Sequence, residues 1–262
     1  MTSPWIAGLA ALFLWWFSTG AILMVVRWAD QMGPRATRLA TWLALPVLIG
    51  GVAAFGWSLG QATVEGAYVA FLATLAIWGW IELAFLTGQI TGPVKHPCPP
   101  RTQEWERFIR AWGTIAYHEM LLAAVFLAMG ALAKTADNPV GFYAFAILFL
   151  ARISAKLNLY MGVPRINTEF LSRSLAHLPS HFRQARMNAV FPVSVTLLTF
   201  ATACWLERMV LAPNSAEMVG YALLTALTAL ALLEHWFMVV PLPDAKLWRW
   251  LLPAPAITED KT

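Results

Sequence analysis

The 262-residue chain is 59% hydrophobic and only 12% charged, with a net charge of +4. Soluble domains run near 45–50% apolar and about 25% charged, so the composition excludes a soluble globular protein and describes an integral membrane one. The basic residues are confined to particular loops, which argues against a nucleic-acid partner.

Seven apolar segments approach the ~20 residues that cross a bilayer: 5–26, 39–59, 68–86, 112–133, 140–160, 190–206 and 219–240. They predict an all-α, polytopic bundle of about seven transmembrane helices forming a single membrane domain over 1–262. The loops between them alternate in charge. Arg27, Arg35 and Arg38 follow the first segment; Lys95, Arg101, Arg107 and Arg110 follow the third; Arg165, Arg173, Arg183 and Arg186 follow the fifth. Lys246, Arg249 and Lys261 lie in the C-terminal tail, whereas the intervening loops carry only Lys134 and Arg208. The positive-inside rule then predicts a periplasmic N-terminus and a cytoplasmic C-terminus in a bacterial inner membrane. Tryptophans near segment ends (Trp5, Trp28, Trp57, Trp112, Trp205, Trp248, Trp250) suit an interfacial belt in contact with the lipid bilayer.

Two long loops, 87–111 and 165–188, fall on the predicted cytoplasmic side. The first opens with prolines and glycines that forbid a regular helix, then turns helical at T-Q-E-W-E-R-F-I-R, where Thr102 is placed to cap. Trp105, Phe108 and Ile109 form a narrow apolar stripe on that helix. The second sets Phe170, Leu171, Leu175 and Leu178 among Arg173, His177, His181, Arg183 and Arg186. That pattern predicts a helix lying in the headgroup layer, as a lipid anchor or as a docking surface whose basic face is Arg173, Arg183 and Arg186.

The stretch 142–171 carries Arg152 and Lys156, one helical turn apart, inside what should be hydrocarbon. Each such cation costs roughly 2.5–3.5 kcal/mol at a helix centre on insertion scales, so the bundle must supply acids. Glu82, His118, Glu119, Glu234 and His235 are the other ionisable residues within the segments. With the predicted topology they all fall in the cytoplasmic half, joined by Asn158 and Tyr117. Three readings stand. The cluster is a set of structural ion pairs. Alternatively Glu82, His118, Glu119, Glu234 and His235 ligate a metal, although no Glu-x-x-His pair occurs. Or His118 or His235 holds a tetrapyrrole metal from an apolar wall. Cys98 and Cys204 lack metal or redox spacing, and no P-loop, GxSxG, HExxH or GxGxxG motif nominates a catalytic residue.

Six stretches taken in order are W-G-W-I-E-L at 78–83, L-T-G-Q-I-T-G-P at 86–93, A-Y-H-E at 116–119, R-I-S-A-K-L-N at 152–158, G-V-P-x-x-N-x-E-F-L at 162–171 and M-N-x-x-F-P-x-S-V-T at 187–196. Together they resemble the photosynthetic complex assembly protein 2 family, PuhE, of phototrophic bacteria. The resemblance implies a membrane assembly factor for the reaction centre–light-harvesting complex. Reaction-centre or light-harvesting subunits would be its partners, and bacteriochlorophyll or another tetrapyrrole a ligand it handles. It implies no catalytic residue. The alternative of a different class is an intramembrane metalloenzyme acting on a tetrapyrrole or lipid.

Overall fold

The computed structural model describes residues 2–168 and 171–241. Phe170, Trp248, Trp250 and the tail cations Lys246, Arg249 and Lys261 lie outside the described residues. Among those described there is no strand, only one isolated parallel bridge between Val163 and Gln184. The regular structure is helical: α1 (Pro4–Met32), α2 (Pro34–Leu43), α3 (Leu45–Ser58), α4 (Val64–Leu86), α5 (Glu104–Ala133), α6 (Val140–Met161), α7 (Val190–Val210) and α8 (Ser215–Phe237). With α2 and α3 taken as one interrupted rod, Pro34–Ser58, seven helices are long and apolar enough to cross a membrane.

Local chemistry sets the ends. α1 and α2 each begin with a proline, whose missing N–H and fixed φ cost nothing in the first turn. Between them Gly33 sits at φ 95°, a conformation that favours glycine. The rod breaks at Ala44, where Pro46 enters the first turn of α3 and cannot donate back into α2. α4 starts at Val64 because the Thr63 side chain accepts from the Gly66 N–H at 3.0 Å. Asn214 caps α8 in the same way, accepting from the Glu217 N–H.

α4 is the axle of the bundle. Of its most apolar window 61% is buried, against 11% for α7, so α4 is wrapped by protein while α7 faces outward. It packs on α3, α6, α8 and α1. Small residues permit the approach to α6. The Thr74 hydroxyl donates to the carbonyls of Ala70 and Gly141, and a Cβ on Gly141 would lie within 3.1 Å of both the Phe55 ring and the Ala70 carbonyl. The main apolar core gathers Ala70, Phe71, Ala144, Leu223, Leu224 and Leu227 from α4, α6 and α8.

Two expectations need correction. The chain does turn helical within 102–110, from Glu104, but Thr102 does not cap that helix. α5 runs unbroken from Glu104 to Ala133, and the Thr102 hydroxyl donates instead to the Pro99 carbonyl at 2.7 Å. No proline interrupts that run, so nothing separates the polar first turns from the apolar span. Nor does 165–188 form a headgroup-layer helix. Its described residues, 165–168 and 171–188, make two 3-10 turns, Arg173–Leu175 and Leu178–His181, in otherwise irregular chain. Pro179 supplies no backbone donor, and the expected apolar face turns inward: Leu175 and Leu178 are buried against Phe85, with Leu86, Ile115, Leu171 and Phe182 around them. The loop plugs the bundle.

Candidate functional site

The i, i+4 spacing on α6 presents Arg152 and Lys156 on one face, and each meets its own acid. Arg152 Nη2 lies 2.7 Å from Glu82 Oε2 of α4. Lys156 Nζ donates to Glu119 Oε1 of α5. The Phe85 ring lies beside both cations, its centroid 5.7 Å from Arg152 Cζ and 5.5 Å from Lys156 Nζ, within cation–π range. Its other neighbour is the His118 ring, centroid to centroid 4.4 Å.

His118 is wholly enclosed. Its Nε2 sits 3.7 Å from Glu82 Oε1 and 3.9 Å from Glu119 Oε1, beyond hydrogen-bond reach of both. Neither ring nitrogen, nor Glu82 Oε1, has a hydrogen-bond partner among the described residues. Four of the predicted cluster residues therefore pair off, and His118 lies between the two carboxylates.

The other predicted members go elsewhere. His235 is buried in a seam of its own, Nε2 2.9 Å from the Ser154 hydroxyl and Nδ1 2.8 Å from the Ala231 carbonyl. Asn158 faces α7, donating to Ser194 Oγ at 2.9 Å and to the Ser154 carbonyl. Asn188 ties that seam shut. Its Nδ2 donates to Asn158 Oδ1, the Asn158 carbonyl and the Gly162 carbonyl, while its Oδ1 accepts from the Val190 and Phe191 N–H groups at the start of α7. Glu234 is exposed, with no ion pair or hydrogen bond among the described residues. Tyr117 points outward, 56% exposed, and does not join the cluster.

Two loop segments close the end of the bundle above the ion pairs. Residues 91–94 lie along α5: the Val94 N–H donates to the Gly113 carbonyl and the His118 N–H to the Thr91 carbonyl, both at 3.0 Å. A Cβ on Gly92 would sit 2.1 Å from the Gly113 carbonyl oxygen, so the glycine of T-G-P is what lets two backbones touch. Arg107 Nη2 donates to the carbonyls of Tyr160 and His181, and its guanidinium lies 4.4 Å from the centre of the Tyr160 ring. Of the basic-loop residues, Arg183 pairs with Glu104, Arg173 receives Asp30 at its backbone N–H, and Arg186 is exposed. His177 and His181 are buried in this lid. Burial pushes both imidazoles below the usual histidine range, with cationic neighbours adding to it: His181, His96 and Lys95 for His177, and Arg107 and Arg110 for His181. The His96 carbonyl partly offsets the shift at His181.

Beneath the lid lies a cavity of about 680 Å³, within the usual range for ligand pockets. Its wall is apolar and aromatic (Phe85, Phe108, Trp112, Phe149 and Phe237 among others), and its polar groups include Arg152, Lys156, Glu119 and Glu234. Among the described residues no three of the His, Cys, Asp and Glu side chains converge as a metal-binding group, so the carboxylates and imidazoles do not fit the predicted metal site. Neither His118 nor His235 fits an axial ligand for a tetrapyrrole metal, since the first is enclosed and both nitrogens of the second are occupied. What the arrangement offers is an apolar chamber whose floor is a fixed, neutralised set of charges.

Sequence reasoning assigned no site role to Asn188, Ser154, Ser194 or Arg107, although the first three lie in the quoted motifs and the last among the loop cations. Asn188 also had a readable local signal, an asparagine just before an apolar run.

Seven apolar helices among the described residues, with buried ion pairs under a loop lid, define a polytopic helical membrane protein with a half-open chamber. The chain matches over residues 1–259 the family described as a protein of unknown function, DUF3623, and belongs to it. It is 54% identical, over 97% of its own length and 93% of the relative's, to an uncharacterized 30.4 kDa protein in the puhA 5′ region of Rhodobacter capsulatus. No solved structure matches the chain.

Proposed function

We propose that this protein is a non-enzymatic assembly factor for the bacterial photosynthetic reaction centre–light-harvesting complex, of the PuhE kind, and that its chamber handles bacteriochlorophyll or a related pigment. It acts as one membrane domain of the bacterial inner membrane, N-terminus periplasmic and lid cytoplasmic. The chamber carries the reading: large, aromatic-walled, and floored by Arg152–Glu82 and Lys156–Glu119. The position of the relative in the puhA 5′ region of a photosynthetic bacterium supports the process, as do the six motifs. Pigment would be held by its ring faces and polar periphery, because the two histidines are closed to its metal.

The test is affinity purification from photosynthetically grown cells, with absorption spectra and subunit identification of the eluate. Bacteriochlorophyll or complex subunits in the eluate, and reduced complex yield in a deletion strain, are the expected results. A deletion strain with normal complex yield, together with an eluate lacking pigment and subunits, would overturn the reading. Stoichiometric iron in the purified protein would instead favour the metalloenzyme.

A further inference from the structure

A second hollow, of about 460 Å³, lies between α1 and α8, lined by Leu9, Leu12, Phe13, Trp16, Leu230 and Leu233. It shares Trp15, Glu234 and Phe237 with the chamber. On α1 the residues lining the two run Leu12, Trp15 and Trp16, Thr19, Leu23, a helical stripe at i, i+3/4, i+7, i+11. On α8 they run Leu230, Leu233 and Glu234, Phe237. The two hollows thus adjoin along the α1–α8 seam, with Trp15, Glu234 and Phe237 as their common wall. The seam's outer part is open to the bilayer, with Leu9, Phe13 and Leu233 all exposed, and its inner part ends at the ion pairs.

The chemistry differs along this seam. The outer part is almost wholly hydrocarbon-lined and accepts a chain. The inner part holds both donors and acceptors, with Arg152 and Lys156 beside the carboxylate of Glu234, unpaired among the described residues. Arg152 Nε is buried without a partner, and Lys156 Nζ donates only to Glu119 among the described residues. Formal charge there is already balanced by the two pairs, and Glu234 adds a carboxylate at the junction. An anionic head would meet Glu234. An ammonium head would satisfy Glu234 but would set a third cation in the chamber that already holds Arg152 and Lys156. An uncharged head bearing carbonyl and hydroxyl groups can accept from the cations and donate to Glu234 without adding charge.

We infer that the α1–α8 seam is a lateral access channel from the bilayer, and that its ligand is a chain-bearing amphiphile with an uncharged head carrying carbonyl and hydroxyl groups. The chain lies in the outer groove and the head reaches Arg152 and Lys156. This rests on the chamber being a ligand site, but not on the photosynthetic role.

The test is photolabelling of the full chain in phosphatidylcholine nanodiscs, using monoacylglycerols with a diazirine near the ester or at the chain end. The expected map has the near-ester probe on Ile153 and Phe237, the chain-end probe on Leu9, Leu12 and Leu230, and both in excess over Phe200 on the outward face of α7. Filling the groove with Leu12→Trp and Leu233→Trp should abolish chamber labelling and leave Phe200 labelling unchanged. A fatty acid or alkylamine carrying the same diazirine should label the chamber less than the ester does. Chamber labelling no greater than that of Phe200 in the unaltered chain would overturn the channel, whether or not the variant folds. Equal labelling by acid, amine and ester would overturn the head assignment. Photolabelling as expected in a protein that fails to co-purify with pigment or complex would sink the assembly reading and leave this one standing.

Discussion

Arg152 of α6 reaches Glu82 of α4 at 2.7 Å, while Lys156, four residues on, turns to Glu119 of α5. One face of α6 is thereby held to two different helices through two separate charges. The side chains of these cations are only 28% and 21% exposed, so each pair is largely shielded from solvent.

The pairing makes a specific prediction. Breaking a desolvated pair strands the remaining charge and typically costs about 3–5 kcal/mol. Lys156→Met, Glu119→Gln and Glu82→Gln should each lower protein abundance sharply. Lys156→Met with Glu119→Gln should restore it, because the partners go together. Lys156→Met with Glu82→Gln should not restore it to the same degree. Immunoblots of membranes decide the matter, and equal abundance of all single variants would mean that these charges reach water.

Asn188 joins α6, Gly162 and the start of α7 through one amide. Asn188→Ala removes both ends of that link and leaves buried groups unsatisfied, at about 1–3 kcal/mol for such a loss. A lower unfolding temperature in detergent, read by fluorescence-detected size exclusion, is the expected outcome. An unchanged melting curve would show the link to be dispensable.

Orientation can be tested without any ligand. From the loop charges, a periplasm-active reporter fused after Lys134 should be active, and one fused after Arg183 inactive. The opposite pattern would invert the assignment of sides.

The lid should respond to pH. The folded-state values of His177 and His181 lie below the ordinary 6.5. Protons therefore bind more tightly when the lid is open, and the lid's packing is fully present above about 6.5 and weakens as pH falls below it. Hydrogen exchange of peptides covering 172–182, corrected for intrinsic rates, should rise on acidification. Flat protection across that window would place the histidines in water.

The basic face has a separate test. The Arg183–Glu104 pair is exposed on both sides, and such pairs are worth about 0–1 kcal/mol. Changing Arg173, Arg183 and Arg186 together to Gln should leave abundance near normal while lowering complex yield. Normal yield at normal abundance would remove any docking role for this face.

Much of the bundle was legible because a bilayer imposes one rule, a long apolar run per crossing, and seven such runs stand out. The ion pairs were legible in outline, since two cations within one apolar segment demand acids. Which acid met which cation was not, because that depends on helix rotation and lateral packing, which no one-dimensional pattern encodes. Glu234 and His235 illustrate the difficulty. They are adjacent in sequence, yet one faces the chamber and the other a serine on α6, as the roughly 100° step between neighbouring helical residues requires. The 165–188 loop misled for a related reason. Its apolar spacing suits a helix on a membrane surface, and equally a set of plugs pressed into the end of a bundle.

α5 has 30 residues and so spans about 45 Å, against a hydrocarbon core near 30 Å. Its first turns stand proud of the slab as a rigid extension of the part that carries Glu119. Arg107 sits on that extension and grips the carbonyls of Tyr160 and His181. A thinner or thicker bilayer that changed the tilt of this helix would carry the Arg107 contacts to the lid and the Glu119 carboxylate with it, since both belong to one unbroken rod. Lipid thickness then becomes an input to the chamber, readable as lid exchange rates that vary with acyl-chain length in nanodiscs.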